Sequence, residues 1–91
     1  MERGLEVLIT VTVQDTHKLG SERARAEVDK ALSWRGEIVK VKESKTADTL
    51  LIEIKVSDSW QATDDEKLAY LKDWLTAKTR MFTVKNVRDT A

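Results

Sequence analysis

A regular alternation of apolar and polar side chains constrains the fold of this chain more than any other feature. In residues 5–15 one set of alternate positions is entirely apolar: Leu5, Val7, Ile9, Val11 and Val13. The positions between them are mostly polar: Glu6, Leu8, Thr10, Thr12 and Gln14. A period of two over nine residues, rich in β-branched side chains, is typical of a strand with one buried face. We therefore predict a half-buried strand here.

A first helix is predicted from residue 21 to about residue 35. Apolar side chains recur there at helical spacing and form one stripe: Ala24, Val28, Ala31 and Leu32. Ser21 is predicted to cap its N-terminus, because a serine hydroxyl can accept a hydrogen bond from the first free amides. Gly36 is predicted to end it in the left-handed conformation.

A second helix is predicted to begin at Thr63. Thr63 and Glu66 have the spacing of a capping box, in which each side chain binds the backbone amide of the other residue. The core stripe that follows consists of Leu68, Leu71 and Leu75.

Three further strands complete the predicted elements. Residues 37–58 have the pattern of a hairpin with a polar tip at 44–48, and residues 81–88 alternate as a last strand. The order strand, helix, strand, strand, helix, strand resembles the ferredoxin-like split βαβ architecture, although no family motif accompanies it. The resemblance implies an α+β fold with a four-stranded antiparallel sheet in the order 4-1-3-2 and two helices on one face. Ninety-one residues allow a single domain, residues 1–91.

This architecture also predicts which loops meet. The loop 14–20 and the hairpin tip 44–48 should lie at one end of the sheet. Trp34 and Trp60 should share the other end, either as caps of the core or as an aromatic contact patch.

Composition narrows the function classes. Sixteen basic and sixteen acidic side chains give no net charge, whereas dedicated nucleic-acid-binding domains usually carry a basic excess. The absence of cysteine excludes disulfides, cysteine-ligated zinc and thiol nucleophiles. No apolar run approaches the ~20 residues of a membrane helix. We therefore expect a cytoplasmic protein without membrane, metal or cofactor.

Activities that occur on ferredoxin-like scaffolds can be tested against the residues. The expected outer faces of the central strands carry no aromatic ring on which RNA bases could stack. Acylphosphatase chemistry is not supported either, because residues 14–20 contain no arginine and Asn86, the only asparagine, lies on the last strand. The Asp15 and Gly20 pair superficially resembles the loop of amino-acid-binding ACT domains, which leaves a small-ligand regulatory domain as an alternative.

Two groups of ionisable residues have a structural and a chemical interpretation. His17 could act as a general base or pH switch, but a solvated loop histidine is the more common case. The carboxylates Asp58, Asp64, Asp65 and Glu66 could hold calcium in principle. They lack the spacing of an EF-hand loop, and helix capping explains most of them.

The uncovered face of the sheet is the first candidate partner surface. The predicted strands place there two leucines surrounded by threonines and lysines, together with Ile38: Leu8, Thr10, Thr12, Lys40, Lys42, Leu51, Lys55 and Lys85. An apolar centre with a polar rim suits self-association or a partner protein. The lysines alone would suit phosphate contacts without base reading.

The second candidate surface is the pair Tyr70 and Trp74, one turn apart on the second helix. Such a pair can anchor a partner or shield the edge of its own helix. Taken together, the residues favour a non-enzymatic protein-interaction module, a regulator, inhibitor or assembly factor that binds another protein or itself as a homodimer. The alternatives are a nucleic-acid binder that does not read sequence and, third, an enzyme with its site in a dimer cleft.

Overall fold

The structure, a computed structural model, describes residues 7–43 and 48–89. Its elements in chain order are β1 (Leu8–Gln14), α1 (Ser21–Leu32), a 3₁₀ turn (Ser33–Arg35), β2 (Gly36–Glu43), β3 (Thr49–Val56), α2 (Asp64–Lys78) and β4 (Thr83–Asp89). The order of strands and helices is the predicted one. Residues 5 and 6 of the predicted first strand and residues 44–47 of the hairpin tip lie outside the described residues.

The four strands form one antiparallel sheet in the order β2-β3-β1-β4. This is the predicted 4-1-3-2 order, so the fold is an α+β, ferredoxin-like sandwich. Burial alternates along β3, where Ile52 and Ile54 are fully buried and their neighbours Leu51 and Glu53 are half-buried. The buried positions contact both helices in one core, so α1 and α2 cover the same face.

The core combines the predicted strand face and helix stripes. From the helices it takes Ala24, Val28, Leu32, Leu71 and Leu75, all without exposed surface. The predicted stripes are thereby confirmed, with Leu68 at their edge and only partly buried. The burial of Lys67 is not predicted by the sequence pattern. This lysine is 8% exposed and lies on the same side of α2 as Leu71.

Backbone hydrogen bonds confirm which loops meet at each end. The amide of Asp15 donates to the carbonyl of Asp48 at 2.6 Å, so the loop after β1 meets the end of the hairpin. At the other end the amide of Ser57 donates to the carbonyl of Arg35 at 2.8 Å. Trp34 and Trp60 lie close together there, as predicted.

Both predicted boundaries of α1 are wrong in detail. The N-cap is Gly20, with φ of 97°, and Ser21 is already helical. The C-terminus comes earlier than predicted, because Ser33 has a positive φ of 54° and its amide donates to the Asp29 carbonyl. Gly36 belongs to β2 in an extended conformation, and its hydrogen side chain is needed for a close approach: a Cβ there would lie 2.8 Å from the Lys55 carbonyl oxygen.

Two β-bulges also change the predicted faces. Val39 is an extra residue in β2, so Ile38 pairs with Ile54 and packs on the helix side, and its predicted place on the uncovered face is wrong. Lys85 is the corresponding extra residue in β4, and Asn86 and Val84 pair on either side of it. A bulge shifts the alternation of its strand by one residue, which periodicity alone does not reveal. Neither helix of the described residues is long and apolar enough to cross a membrane.

Candidate functional site

The predicted sheet surface lies on the face that the helices leave uncovered. Cross-strand pairing places on this face the residues predicted for it: Leu8, Thr10, Thr12, Lys40, Lys42, Leu51 and Lys55. Its centre is not fully exposed, since Thr10 is buried and Leu8 and Leu51 are half-buried. Neighbouring side chains of the same face therefore cover the middle of the sheet.

The register separates the two leucines. Leu8 pairs with Lys55 and Leu51 pairs with Thr12, four residues further along β1. Four residues of a strand span about 13 Å. The polar pair Thr10 and Glu53 lies between them. The leucines therefore do not form the single apolar centre that we expected.

Charges on this face are mixed. The Lys42 ammonium lies 3.6 Å from a carboxylate oxygen of Glu53, and Lys40 is the direct cross-strand partner of the same glutamate. An ion pair exposed to this degree contributes little to stability, at most about 1 kcal/mol. The carboxylate of Glu53 does, however, offset part of the positive charge that binding of a phosphate backbone would require.

A second surface is built from aromatic rings. The rings form a continuous series in which Trp34 and Trp60 are 5.9 Å apart between centroids, Trp60 and Tyr70 are 5.2 Å apart, and Tyr70 and Trp74 are 5.7 Å apart. The first two contacts are edge-to-face and the third is stacked. These four residues, four of the five aromatic residues in the chain, are called the aromatic cluster below. The two predicted pairs are thus one surface.

The guanidinium of Arg35 lies among these rings. Its central carbon is 4.3 Å from the centroid of Trp74, 5.1 Å from that of Trp34 and 5.4 Å from that of Tyr70. At these distances a cation is attracted to the negative face of an aromatic ring, by about 0.5–1 kcal/mol at exposed sites. Arg35 therefore connects the turn after α1 to α2 and gives the cluster a positive centre.

The cluster is anchored at one end and exposed at the other. Trp74 is half-buried, and its indole Nε1–H donates to the carbonyl of Ala31 at 2.6 Å. Trp34 is 56% exposed and Tyr70 is 40% exposed. Trp74 thus holds the helices together, while Trp34 and Tyr70 present large aromatic surfaces to solvent.

A groove of about 690 Å³ adjoins the cluster between α1 and α2. This interhelical groove is lined by Arg23, Ala26, Glu27, Lys30, Ala31, Ser33, Arg35, Trp74 and Lys78. Four of these side chains are cationic and one is a carboxylate. The Lys78 ammonium also lies 4.7 Å from the ring centroid of Trp74. Within residues 7–43 and 48–89, none of the four cations forms an ion pair with a carboxylate.

Sequence reasoning identified the aromatic residues but missed the cations beside them. Arg35 follows Trp34 directly, and Lys78 lies one helical turn after Trp74. Arg23 and Lys30 are two helical turns apart on α1, which places them on one side of that helix. These spacings were a usable signal. These cations line one groove only because α1 packs against α2, and their spacing along the chain does not reveal that packing.

The other candidates have local structural roles. The carboxylate oxygens of Asp15 accept hydrogen bonds from the amides of Leu19 and Gly20, both at 2.8 Å. The Asp15 and Gly20 pair that resembles an ACT-domain loop therefore has a structural role, because these hydrogen bonds close the loop after β1. His17 is exposed in that loop.

The capping box is also as predicted. The amide of Thr63 donates to the Glu66 carboxylate at 3.0 Å, and the Glu66 amide donates to the Thr63 hydroxyl at 3.2 Å. The hydrogen bond from the Thr63 backbone, followed by the one with its side chain, lowers the pKa of Glu66 from its ordinary value of 4.5. Among the described residues, no group of histidine and carboxylate side chains has an arrangement that could hold a metal ion.

Comparison with known proteins adds no family to this description. No protein-family model matches the chain, and neither a curated protein nor a solved structure shows significant similarity to it.

Proposed function

We propose that this chain is a non-enzymatic protein-interaction module that binds its partner on the aromatic cluster. One observation carries the proposal: four of the five aromatic residues form a continuous series of rings, three of them against the Arg35 guanidinium, and Trp34 is 56% exposed. Tryptophan, tyrosine and arginine are the residue types most enriched among side chains that dominate binding energy at protein interfaces.

The distribution of apolar side chains supports this choice. The core is filled almost entirely by aliphatic side chains, with Phe82 as its only buried aromatic ring in the described residues. Trp60 and Trp74 are only partly buried against the core and Trp34 and Tyr70 are exposed, so full burial of these rings would require a second molecule. Each ring can remove roughly 150–250 Å² from water when it is buried.

The uncovered sheet face is the weaker candidate for the same function. Its leucines are separated by a polar pair, and its cations alternate with glutamates. The aromatic cluster offers a contiguous surface instead. Nucleic-acid binding by the sheet lysines is the alternative function, and it predicts a different dependence on salt.

The test compares capture of partners from cell extract by the immobilised protein and by two variants. We expect a Trp34→Ala plus Tyr70→Ala variant to lose the captured proteins, because it removes the exposed rings. The matched control, Leu8→Asp plus Leu51→Asp, alters the sheet face and should retain them. Thermal unfolding of each variant checks that it is folded, and the mass in solution reports self-association.

Loss of capture, or of self-association, only in the sheet-face variant would overturn the proposal and move the interface to the sheet. Binding of nucleic acid that weakens steeply with salt and needs the sheet lysines would overturn it in favour of the alternative function. Capture that neither variant reduces would also contradict the proposal.

A further inference from the structure

We propose that the interhelical groove holds an acidic peptide segment of the partner, with carboxylate side chains paired to Arg23, Lys30 and Lys78. This inference rests on the proposed function and names the chemistry of the segment that reaches beyond the aromatic cluster. The groove shares Arg35 and Trp74 with the cluster, so one partner can occupy both surfaces.

Local charge is the first argument. The whole chain has no net charge, yet the groove brings four cations together with the single carboxylate of Glu27. Within the described parts of the chain, none of those cations has a carboxylate at ion-pair distance. Charges that are not compensated within the molecule favour a ligand of opposite sign and speed its approach.

The spacing of the cations is the second argument. Arg23 and Lys30 are seven residues apart on α1, which corresponds to about 10.5 Å along the helix axis. A peptide in the polyproline II conformation has three residues per turn and rises about 9 Å per turn. Carboxylates at every third position of such a segment lie on one side of it and would therefore reach both cations of α1 in turn.

The walls of the groove favour a peptide over a nucleic acid. Ala26, Ala31 and the indole of Trp74 supply apolar surface beside the cations, which suits the aliphatic side chains between the acidic positions. A phosphate backbone needs a continuous basic surface and gains little from apolar walls. Arg35 can bind a carboxylate with two parallel hydrogen bonds while its plane stays against the rings.

The experiment titrates the full chain against a fluorescein-labelled peptide, Glu-Ala-Leu-Glu-Ala-Leu-Glu, and measures fluorescence anisotropy at low salt. A peptide with lysine at the same three positions serves as the ligand control. We expect the acidic peptide to bind and the lysine peptide not to bind. The variant Arg23→Gln, Lys30→Gln, Lys78→Gln should weaken binding at least about tenfold. The charge-matched variant Arg25→Gln, Lys72→Gln, Lys85→Gln alters exposed cations outside the groove and should change it less than about twofold.

Equal weakening in both variants would overturn the inference, because net charge and not the groove would then attract the peptide. Failure of the acidic peptide to bind would also overturn it. Tighter binding of a single-stranded oligothymidylate, lost in the groove variant, would replace the peptide with a phosphate polyanion. In all these cases the proposed function stands if capture of partners still requires Trp34 and Tyr70, so the two failures are distinguishable.

Discussion

The indole of Trp74 donates a hydrogen bond to the backbone carbonyl of Ala31 across 43 residues of sequence. Ala31 lies in the last turn of α1, where carbonyl oxygens have no partner within the helix. The bond therefore satisfies a helix terminus and fixes α2 against α1. It also sets the orientation of the ring that contacts Arg35 and Lys78, so the same contact stabilises the fold and orients the candidate site.

Replacement of Trp74 by phenylalanine should destabilise the protein by about 1–2 kcal/mol. Phenylalanine keeps an aromatic ring but cannot donate to the Ala31 carbonyl, and an unsatisfied acceptor costs about this much. Urea unfolding followed by far-UV circular dichroism measures the change. The control Trp34→Phe alters an exposed ring and should stay within ~0.5 kcal/mol. Equal effects of the two substitutions would contradict a specific role for the bond.

Acid should weaken the start of α2 through Glu66. The folded chain lowers the pKa of this carboxyl, mainly through the hydrogen bond from the Thr63 amide. Its contribution to stability is therefore complete above the ordinary glutamate pKa of 4.5 and is lost as the pH falls through the lower folded value. Urea midpoints from about pH 6 to about pH 2.5 test this for the wild type and Glu66→Gln, since glutamine keeps an acceptor without titrating.

The stability difference between these two proteins should shrink as the pH falls. A difference that stays constant over the whole pH range would show that the pKa of Glu66 does not change when the chain folds. Thr63→Ala removes the cap itself and should cost about 1 kcal/mol at neutral pH.

The glycine that precedes α1 and the glycine that begins β2 should respond differently to alanine. Gly36→Ala places a Cβ 2.8 Å from the Lys55 carbonyl and 3.1 Å from Cγ2 of Ile54, so β2 and β3 must move apart, at a cost of about 1–3 kcal/mol. Gly20 has open space around it but φ of 97°, so Gly20→Ala strains only the backbone, by about 1 kcal/mol.

Side-chain size separates the two causes. Gly20→Asn should cost about as much as Gly20→Ala, because the strain lies in the backbone and the space around Gly20 is open, whereas Gly36→Asn should be more damaging than Gly36→Ala because the larger side chain worsens the clash. Chemical unfolding of the four variants measures this, and the same increase with side-chain size at both sites would contradict the explanation.

Lys67 should tolerate an apolar replacement of similar shape. Its stem is buried on the side of α2 that carries Leu71 and Leu75, and burial of a charged side chain opposes folding. We expect Lys67→Met to leave the free energy of unfolding unchanged or to raise it by up to ~1 kcal/mol. Lys67→Ala should lower it by about 1–2 kcal/mol, because it removes the packed stem. A loss on Lys67→Met as large as that on Lys67→Ala would show that the ammonium itself is needed.

Periodicity was sufficient to predict the order of strands and helices. The alternation around Val11 and the spacing of the leucines in α2 indicate directly which face is buried. The spacing of Thr63 and Glu66 indicates a local hydrogen-bond pattern. The errors arose where backbone geometry decides. The positive φ of Ser33 and the extra residue Val39 leave no distinctive pattern in the sequence.

The candidate site was only partly predictable for a related reason. The sequence indicates two aromatic pairs, Trp34 with Trp60 and Tyr70 with Trp74. The predicted fold correctly places the first pair together. Their union into one cluster depends on the rotation of α2 about its axis, which the position of Tyr70 against Trp60 reveals. In the sequence, Arg35 is one cation near the predicted end of a helix, and only the structure reveals the rings around it.

The bulges at Val39 and Lys85 lie on β2 and β4, the two outer strands of the sheet. An outer strand that is flat invites pairing with another chain, and a bulge with a nearby lysine discourages it. Proline often serves this purpose in other proteins, but this chain has none. Irregular hydrogen bonding at both margins of the sheet thus protects the molecule against strand-by-strand aggregation and fibril growth.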